Sequence, residues 1–209
     1  MKDLLFINAC VRKDSRTKML ADKLLAKLGA DYEEVCLENA EFPNVNEDYL
    51  TKRSSLIDDN ALDDPMFNLA HQFAEAGTIV IAAPYWDLSF PASLKQYLEI
   101  INVVGITFKY SKEGIPTGLC NAKKIYYVTT AGGNYVPDDF GYGYVKALAN
   151  GYYGINEVKL IKANGLDIYG ADVNEILSNA DPSATSCGKC WPRPRRPDRF
   201  PHGPGTCPR

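Results

Sequence analysis

Short apolar runs alternate with amphipathic stretches along most of this chain. Residues 4–9, 32–37, 78–83, 124–130 and 157–163 read as strands, rich in aliphatic, β-branched and aromatic side chains. Between them, residues 18–28 place Leu20, Leu24, Leu25 and Leu28 at helical spacing and stop at Gly29. Residues 91–104 open on Pro91 and set Leu94, Leu98 and Ile101 on one helical face. Weaker helical patterns cover 49–58 and 66–76, a further helix is expected over 140–151, and a last one starts at 173–179. Strands that are apolar almost throughout belong to a parallel sheet covered on both faces. With right-handed crossovers, the pattern predicts an α/β fold: a five-stranded parallel sheet in the order 2-1-3-4-5 with helices on both faces.

The chain has 209 residues, of which 45% are hydrophobic and 23% charged, ordinary values for one domain with a full core. Its formal net charge is -3, unevenly spread. Residues 1–180 carry 17 Lys and Arg against 24 Asp and Glu, while residues 181–209 carry 6 against 2, with seven prolines and almost no aliphatic side chains. The reading is therefore a domain over 1–180 and a Pro/Arg/Gly-rich tail over 181–209, expected to be disordered and different enough in composition to suggest a non-native source. No basic stripe marks the body, so nucleic acid is not an expected partner. No apolar run approaches the ~20 residues that span a bilayer, so neither is a membrane. Met1-Lys2-Asp3 leads straight into the first strand without a secretory pattern, and unpaired cysteines suit a reducing compartment; a cytoplasmic protein is expected. Cys187, Cys190, His202 and Cys207 have the arithmetic of a zinc set, but four prolines and four arginines between 191 and 201 leave no scaffold for one, and no metal is expected.

Candidate chemistry gathers in loops that follow strands and so open on one edge of such a sheet. After strand one, Cys10-Val11-Arg12-Lys13-Asp14-Ser15-Arg16-Thr17 runs into a helix. Hydroxyls at Ser15 and Thr17, helical N–H groups and Arg12 or Arg16 would hold a phosphate, although Ser15 or Thr17 could equally serve as a plain helix cap. Neither G-x-G-x-x-G nor G-x-x-x-x-G-K is present, which favours a monophosphate. After strand three, Pro84-Tyr85-Trp86-Asp87-Leu88 offers aromatics and free amides suited to a flat, polar-edged ring such as a flavin. After strand four, Thr130-Ala131-Gly132-Gly133 permits close backbone approach. Cys10 beside the first loop reads as a buried filler, and His71 as a surface or satisfied core histidine.

The phosphate loop, Ala83-Pro84-Tyr85-Trp86-Asp87-Leu88 with Pro91-Ala92-Ser93-Leu94-Lys95, and Gly105-Ile106-Thr107-Phe108-Lys109-Tyr110 before Glu113-Gly114 together resemble the FMN-dependent NADH:quinone oxidoreductases called azoreductases. Gly118-Leu119, Lys123-Lys124 and Thr130-Ala131-Gly132-Gly133 add to the likeness, which covers about residues 4–168. The resemblance implies a flavodoxin-like fold, a homodimer, FMN as cofactor, and ping-pong hydride transfer from NADH or NADPH to quinones, azo or nitro aromatics. By position, it implies that Ser15, Arg16 and Thr17 hold the FMN phosphate. Pro84, Tyr85, Trp86, Asp87 and Leu88 would lie along the isoalloxazine, and Thr130, Ala131, Gly132 and Gly133 would close its other edge. Phe108 and Tyr110, which read as exposed aromatics in a single chain, are similar to aromatics that one subunit adds to the other's substrate pocket. No catalytic side chain is implied, because the flavin carries the chemistry. Two positions depart from the pattern: Asp87 stands where Asn is usual, and Ala131 where Arg or a similar residue is common. The alternative class is a flavodoxin-like electron carrier that turns over no small molecule.

Overall fold

In the computed structural model of the protein, which describes residues 2–181, five parallel strands lie in one sheet in the order β2-β1-β3-β6-β7. They are β1 (Leu4–Asn8), β2 (Tyr32–Cys36), β3 (Thr78–Ala82), β6 (Lys124–Thr130) and β7 (Glu157–Ala163). This is the order expected from the sequence, β6 and β7 being its fourth and fifth strands. A separate antiparallel ribbon, β4 (Phe108–Tyr110) with β5 (Pro116–Gly118), interrupts the run between β3 and β6.

Alternation along each strand sends side chains to two cores. Leu5, Ile7, Ile79, Ile81, Ile125 and Tyr127 point to one face, where α3 (Asn68–Glu75) and α4 (Ala92–Ile101) cover them with Phe73, Leu94 and Leu98. Leu4, Phe6, Val80, Ala82 and Val128 point to the other, under α1 (Arg16–Leu28) and α6 (Val173–Asn179), which bring Leu20, Leu24 and Leu177. Each such side chain is worth about 1.5–3 kcal/mol on burial, so the two faces fix the register of the whole sheet. By contrast, α2 (Glu47–Asp58) buries none of its residues.

The last expected helix before β7 is shorter than its pattern. α5 spans Tyr142–Leu148 and then widens into a π-helical turn, Ala149–Tyr153, that closes at Gly154 with φ of 75°. The ribbon is pinned on this turn: a Cβ at Gly118 would stand 2.1 Å from backbone atoms of Tyr153 and Gly154. Pro91, expected inside the first turn of α4, instead precedes it as the N-cap.

Register aligns the carboxyl ends of the strands. Asn8 pairs with Ala82, and Ala82 with Val128. The chain leaves β1 for β2 on one side and enters β3 on the other, which makes the β1–β3 boundary the topological switch point, where ligands of open α/β sheets bind.

Candidate functional site

At that switch point lies a crevice of about 430 Å³, walled by loops that follow β1, β3, β6 and β7. Of the residues singled out in the sequence, Ser15, Arg16, Thr17, Pro84, Tyr85, Trp86, Thr130, Ala131 and Gly132 all line it. Asp87, Leu88 and Gly133 sit in the same loops but outside the lining. Phe108 and Tyr110 are not brought to it either. Phe108, expected to be exposed, is only 4% accessible, because Tyr152 packs edge-on against its ring at 4.6 Å; Tyr110 beside it is half exposed.

The first wall is the start of α1. Ser15 is the N-cap, its Oγ accepting from Lys18 N–H at 3.3 Å, and its own N–H donates to Arg12 O. The amides of Arg16 and Thr17 have no partner among the described residues, and no acid stands in the first turn. That leaves the positive end of the helix dipole open toward the crevice. Thr17 is buried and tied across to β6, its Oγ1 2.6 Å from Thr130 Oγ1. Cys10 packs beneath, and burial pushes its thiol up to about 11, outweighing the opposite pull of Ser15 and Lys18. It is a filler and not a nucleophile.

The second wall is a two-residue hairpin. Trp86 and Ser89 exchange both backbone hydrogen bonds, at 3.1 and 2.7 Å, and the residues between them, Asp87 and Leu88, have φ of 49° and 68°. Positive φ at both central positions marks a type I′ turn, which ordinarily takes Asn, Asp or Gly. A leucine held there costs about 1–2 kcal/mol. The turn is fastened at its flanks, by Tyr85 N–H to Thr130 O at 3.0 Å and Ser89 Oγ to Phe140 O at 3.0 Å. Its tip is open: Trp86 and Leu88 are 39% and 43% accessible, and the N–H groups of Asp87 and Leu88 have no partner among the described residues. Strain of this kind collects where a chain meets its ligand.

The third wall contains residues that the sequence reading missed. Asp167, in the loop after β7, lines the crevice and binds Arg16, with Arg16 Nη2 2.8 Å from its Oδ1 and Arg16 Nη1 donating to Leu166 O at 3.1 Å. Gly132 makes room for this carboxylate, since a Cβ there would lie 2.0 Å from Asp167 Oδ2. The available clue was Asn164-Gly165, a turn signal at the same edge of the sheet with an acid two positions on. Val11 and Asp14 also line the crevice without having been singled out. His71 is bound to Leu62 O at 2.7 Å, and no group of side chains able to hold a metal occurs among the described residues. The cysteine and histidine set of the tail lies outside the described residues.

The family model described as the flavodoxin-like fold matches residues 2–184. The FMN-dependent NADH:quinone oxidoreductase 2 of Clostridium perfringens (strain 13 / Type A) is 34% identical over 200 residues, spanning 90% of this chain and 99% of that one. A protein of the same name from Clostridium acetobutylicum is 45% identical over 122 residues, 56% of this chain and 60% of that one. Among solved structures, the azoreductase of Bacillus anthracis str. Sterne superposes with a TM-score of 0.76 at 25% identity, covering 88% of this chain and 97% of its own. An FMN-dependent NADH-azoreductase from Bacillus anthracis str. Ames Ancestor, solved in complex with FMN, shares the fold at a TM-score of 0.71 and 24% identity over 86% of this chain and 94% of that one. The chain thus belongs to the flavodoxin-like fold family and, within it, to the FMN-dependent NADH:quinone oxidoreductases.

Proposed function

We propose that this protein binds FMN in the switch-point crevice and passes a hydride from NADH or NADPH to quinones, azo or nitro aromatics. One observation carries the reading: a single crevice joins the start of a helix that has open amides and no acid in its first turn to an aromatic turn whose tip amides are also open. The first suits a phosphate and the second a flat heterocycle. The cavity's 430 Å³ falls within the roughly 300–1,000 Å³ typical of cofactor sites. The donor set fits an anion at one end only, because no arginine or lysine lines the turn itself.

Bound FMN supplies the two-electron redox centre, alternately accepting hydride from the nicotinamide and giving it to the acceptor. The chain's part is to bind and orient. Ser15, Arg16 and Thr17 hold the phosphate through hydroxyl, guanidinium and amide donors. Pro84, Tyr85 and Trp86 support the ring, and the N–H groups of Asp87 and Leu88 are free to donate to its polar edge. Thr130, Ala131, Gly132 and Gly133 close the opposite side. An ionised Asp87 beside the ring would hold the flavin at a lower potential than an amide would.

The functional unit in this reading is a homodimer in the cytoplasm. α2 offers a helix with no buried residue, and Trp86, Leu88, Tyr110, Tyr135 and Phe140 are exposed together with Val45 and Leu50. Exposed apolar surface of this extent suits an interface, and two-fold symmetry would give two equal sites. Sedimentation at micromolar protein should return twice the single-chain mass. No helix among the described residues is long and apolar enough to cross a membrane. The deciding experiment for activity is anaerobic mixing of the flavin-loaded protein with NADH or NADPH. Rapid bleaching without a second protein is expected; no bleaching with either nucleotide would leave only the electron-carrier role.

A further inference from the structure

We propose that Asp167 is a positioning residue for the cofactor's phosphate, acting through Arg16; this rests on the reading that the crevice takes FMN. The residue is not a bystander at the rim. Its loop is tied to the glycine loop after β6 by three backbone bonds: Gly165 N–H to Gly133 O at 2.9 Å, Leu166 N–H to Ala131 O at 3.2 Å, and Asp167 N–H to Gly132 O at 2.9 Å. Gly132 lacks the Cβ that would push the carboxylate away. The loop backbone is thus fixed, and the Leu166 carbonyl and the Asp167 carboxylate, whose side chain is 65% exposed, both take hydrogens from one guanidinium.

Arg16 is the first residue of α1, beside the helix's open amides. An arginine there is long and carries about 2 kcal/mol of rotamer entropy when free. Two of its five guanidinium N–H groups are taken by the acceptor pair, and the others remain for an anion. Asp167 thus holds the cation at the crevice wall before the phosphate arrives, and the entropy of ordering Arg16 is not charged to FMN binding. The carboxylate also carries a charge that repels phosphate, so the two effects must be separated in any test.

Asp167→Asn and Asp167→Ala do this. Both remove the charge, but only asparagine keeps an acceptor oxygen for Arg16. FMN and riboflavin are titrated into the cofactor-free full chain and followed by quenching of flavin fluorescence. FMN should bind Asp167→Ala roughly three- to ten-fold more weakly than Asp167→Asn, the cost of immobilising one long side chain. Riboflavin, which lacks the phosphate, should bind both alike, and the gap should vanish when Arg16→Ala is added to each. Equal FMN affinity for the two variants overturns the proposal. So does an equal gap for riboflavin, or a gap that survives Arg16→Ala, since either would mean a merely structural role. A parent chain that binds riboflavin as tightly as FMN would instead remove the phosphate reading of the crevice itself.

Discussion

The two ends of the crevice are built on opposite plans. At the helix end, Ser15, Thr17 and Thr130 are buried, hydroxyls are paired across elements, and the backbone is unstrained. At the turn end, the side chains of Trp86 and Leu88 are exposed and two non-glycine residues sit at positive φ; each end leaves two successive amides without partners among the described residues. One end is ordered by its own side-chain hydrogen bonds and buried hydroxyls, and the other presents exposed side chains on a strained turn. Affinity for a cofactor comes cheaply from the first, where donors are already ordered. Chemistry suits the second, where a ring stays reachable by nicotinamide and acceptor in turn.

The largest expected effect tests the helix end. Replacing Ser15 and Thr17 together by alanine removes both hydroxyls while the helical amides stay. Each hydrogen bond to a charged group is worth roughly 1.5–3 kcal/mol, so FMN affinity should fall about ten- to 150-fold per lost bond. Losing the cap and the Thr17–Thr130 bond should lower the unfolding free energy by about 1 kcal/mol each. Turnover at saturating FMN should change far less. An unfolding midpoint that falls while FMN dissociation stays constant would reduce this end to a helix cap and break the contrast.

How much of this was legible in the sequence follows from what each feature needs. The strands and their order were readable because burial on both faces leaves a local mark in β1, β3 and β6, while the edge strands β2 and β7, only partly buried, show through their β-branched and aromatic residues. The β4–β5 ribbon was not, since three-residue strands are too short to show a period. Phe108 looked exposed because the ring that covers it, Tyr152, comes more than forty positions later. The three loops after strands one, three and four were found through hydroxyls, aromatics and paired glycines. Asp167 was missed because its partner, Arg16, lies 151 positions away and a lone acid after the last strand has no pattern of its own. Gly132 was readable as a site of close approach, but what approaches it is Asp167. The type I′ turn at 86–89 was hidden for the opposite reason: Asp87 suits its first central position, but Leu88 is not a residue that the second prefers.

A pH titration probes how tightly the helix end is sealed. The folded chain keeps the Cys10 proton up to about pH 11, against an ordinary 9.0, because burial disfavours the thiolate. Between those values the unfolded chain binds fewer protons, so stability falls as pH rises, by up to about 2–3 kcal/mol for this group. Below pH 9 the contribution is fully present. Denaturant unfolding at pH 8 and 10.5 should show a steeper loss in the parent chain than in Cys10→Ala, which has no thiol to titrate there. Identical slopes would mean that water reaches Cys10 and that the helix end is looser than its hydrogen bonds imply.

The smallest effect has the most to say about the turn end. Leu88 holds φ of 68° without a glycine's freedom, and Asn60 holds φ of 54° just beyond α2, outside the crevice lining. Leu88→Gly removes about 1–2 kcal/mol of backbone strain but adds roughly 0.5–1 kcal/mol of unfolded-chain entropy, for a net gain of about 0.5–1 kcal/mol. Asn60→Gly should gain less, because asparagine enters the left-handed region at little cost and has less strain to release. If strain at 88 serves to aim two amides at the flavin, the stabilised Leu88→Gly chain should turn over more slowly while Asn60→Gly is unchanged. FMN affinity should move by less than in the Ser15 and Thr17 variant, whose contacts are to a charged group. A Leu88→Gly chain that is less stable than its parent would show that the leucine's packing outweighs its backbone strain, and the two ends of the crevice would then differ in exposure alone.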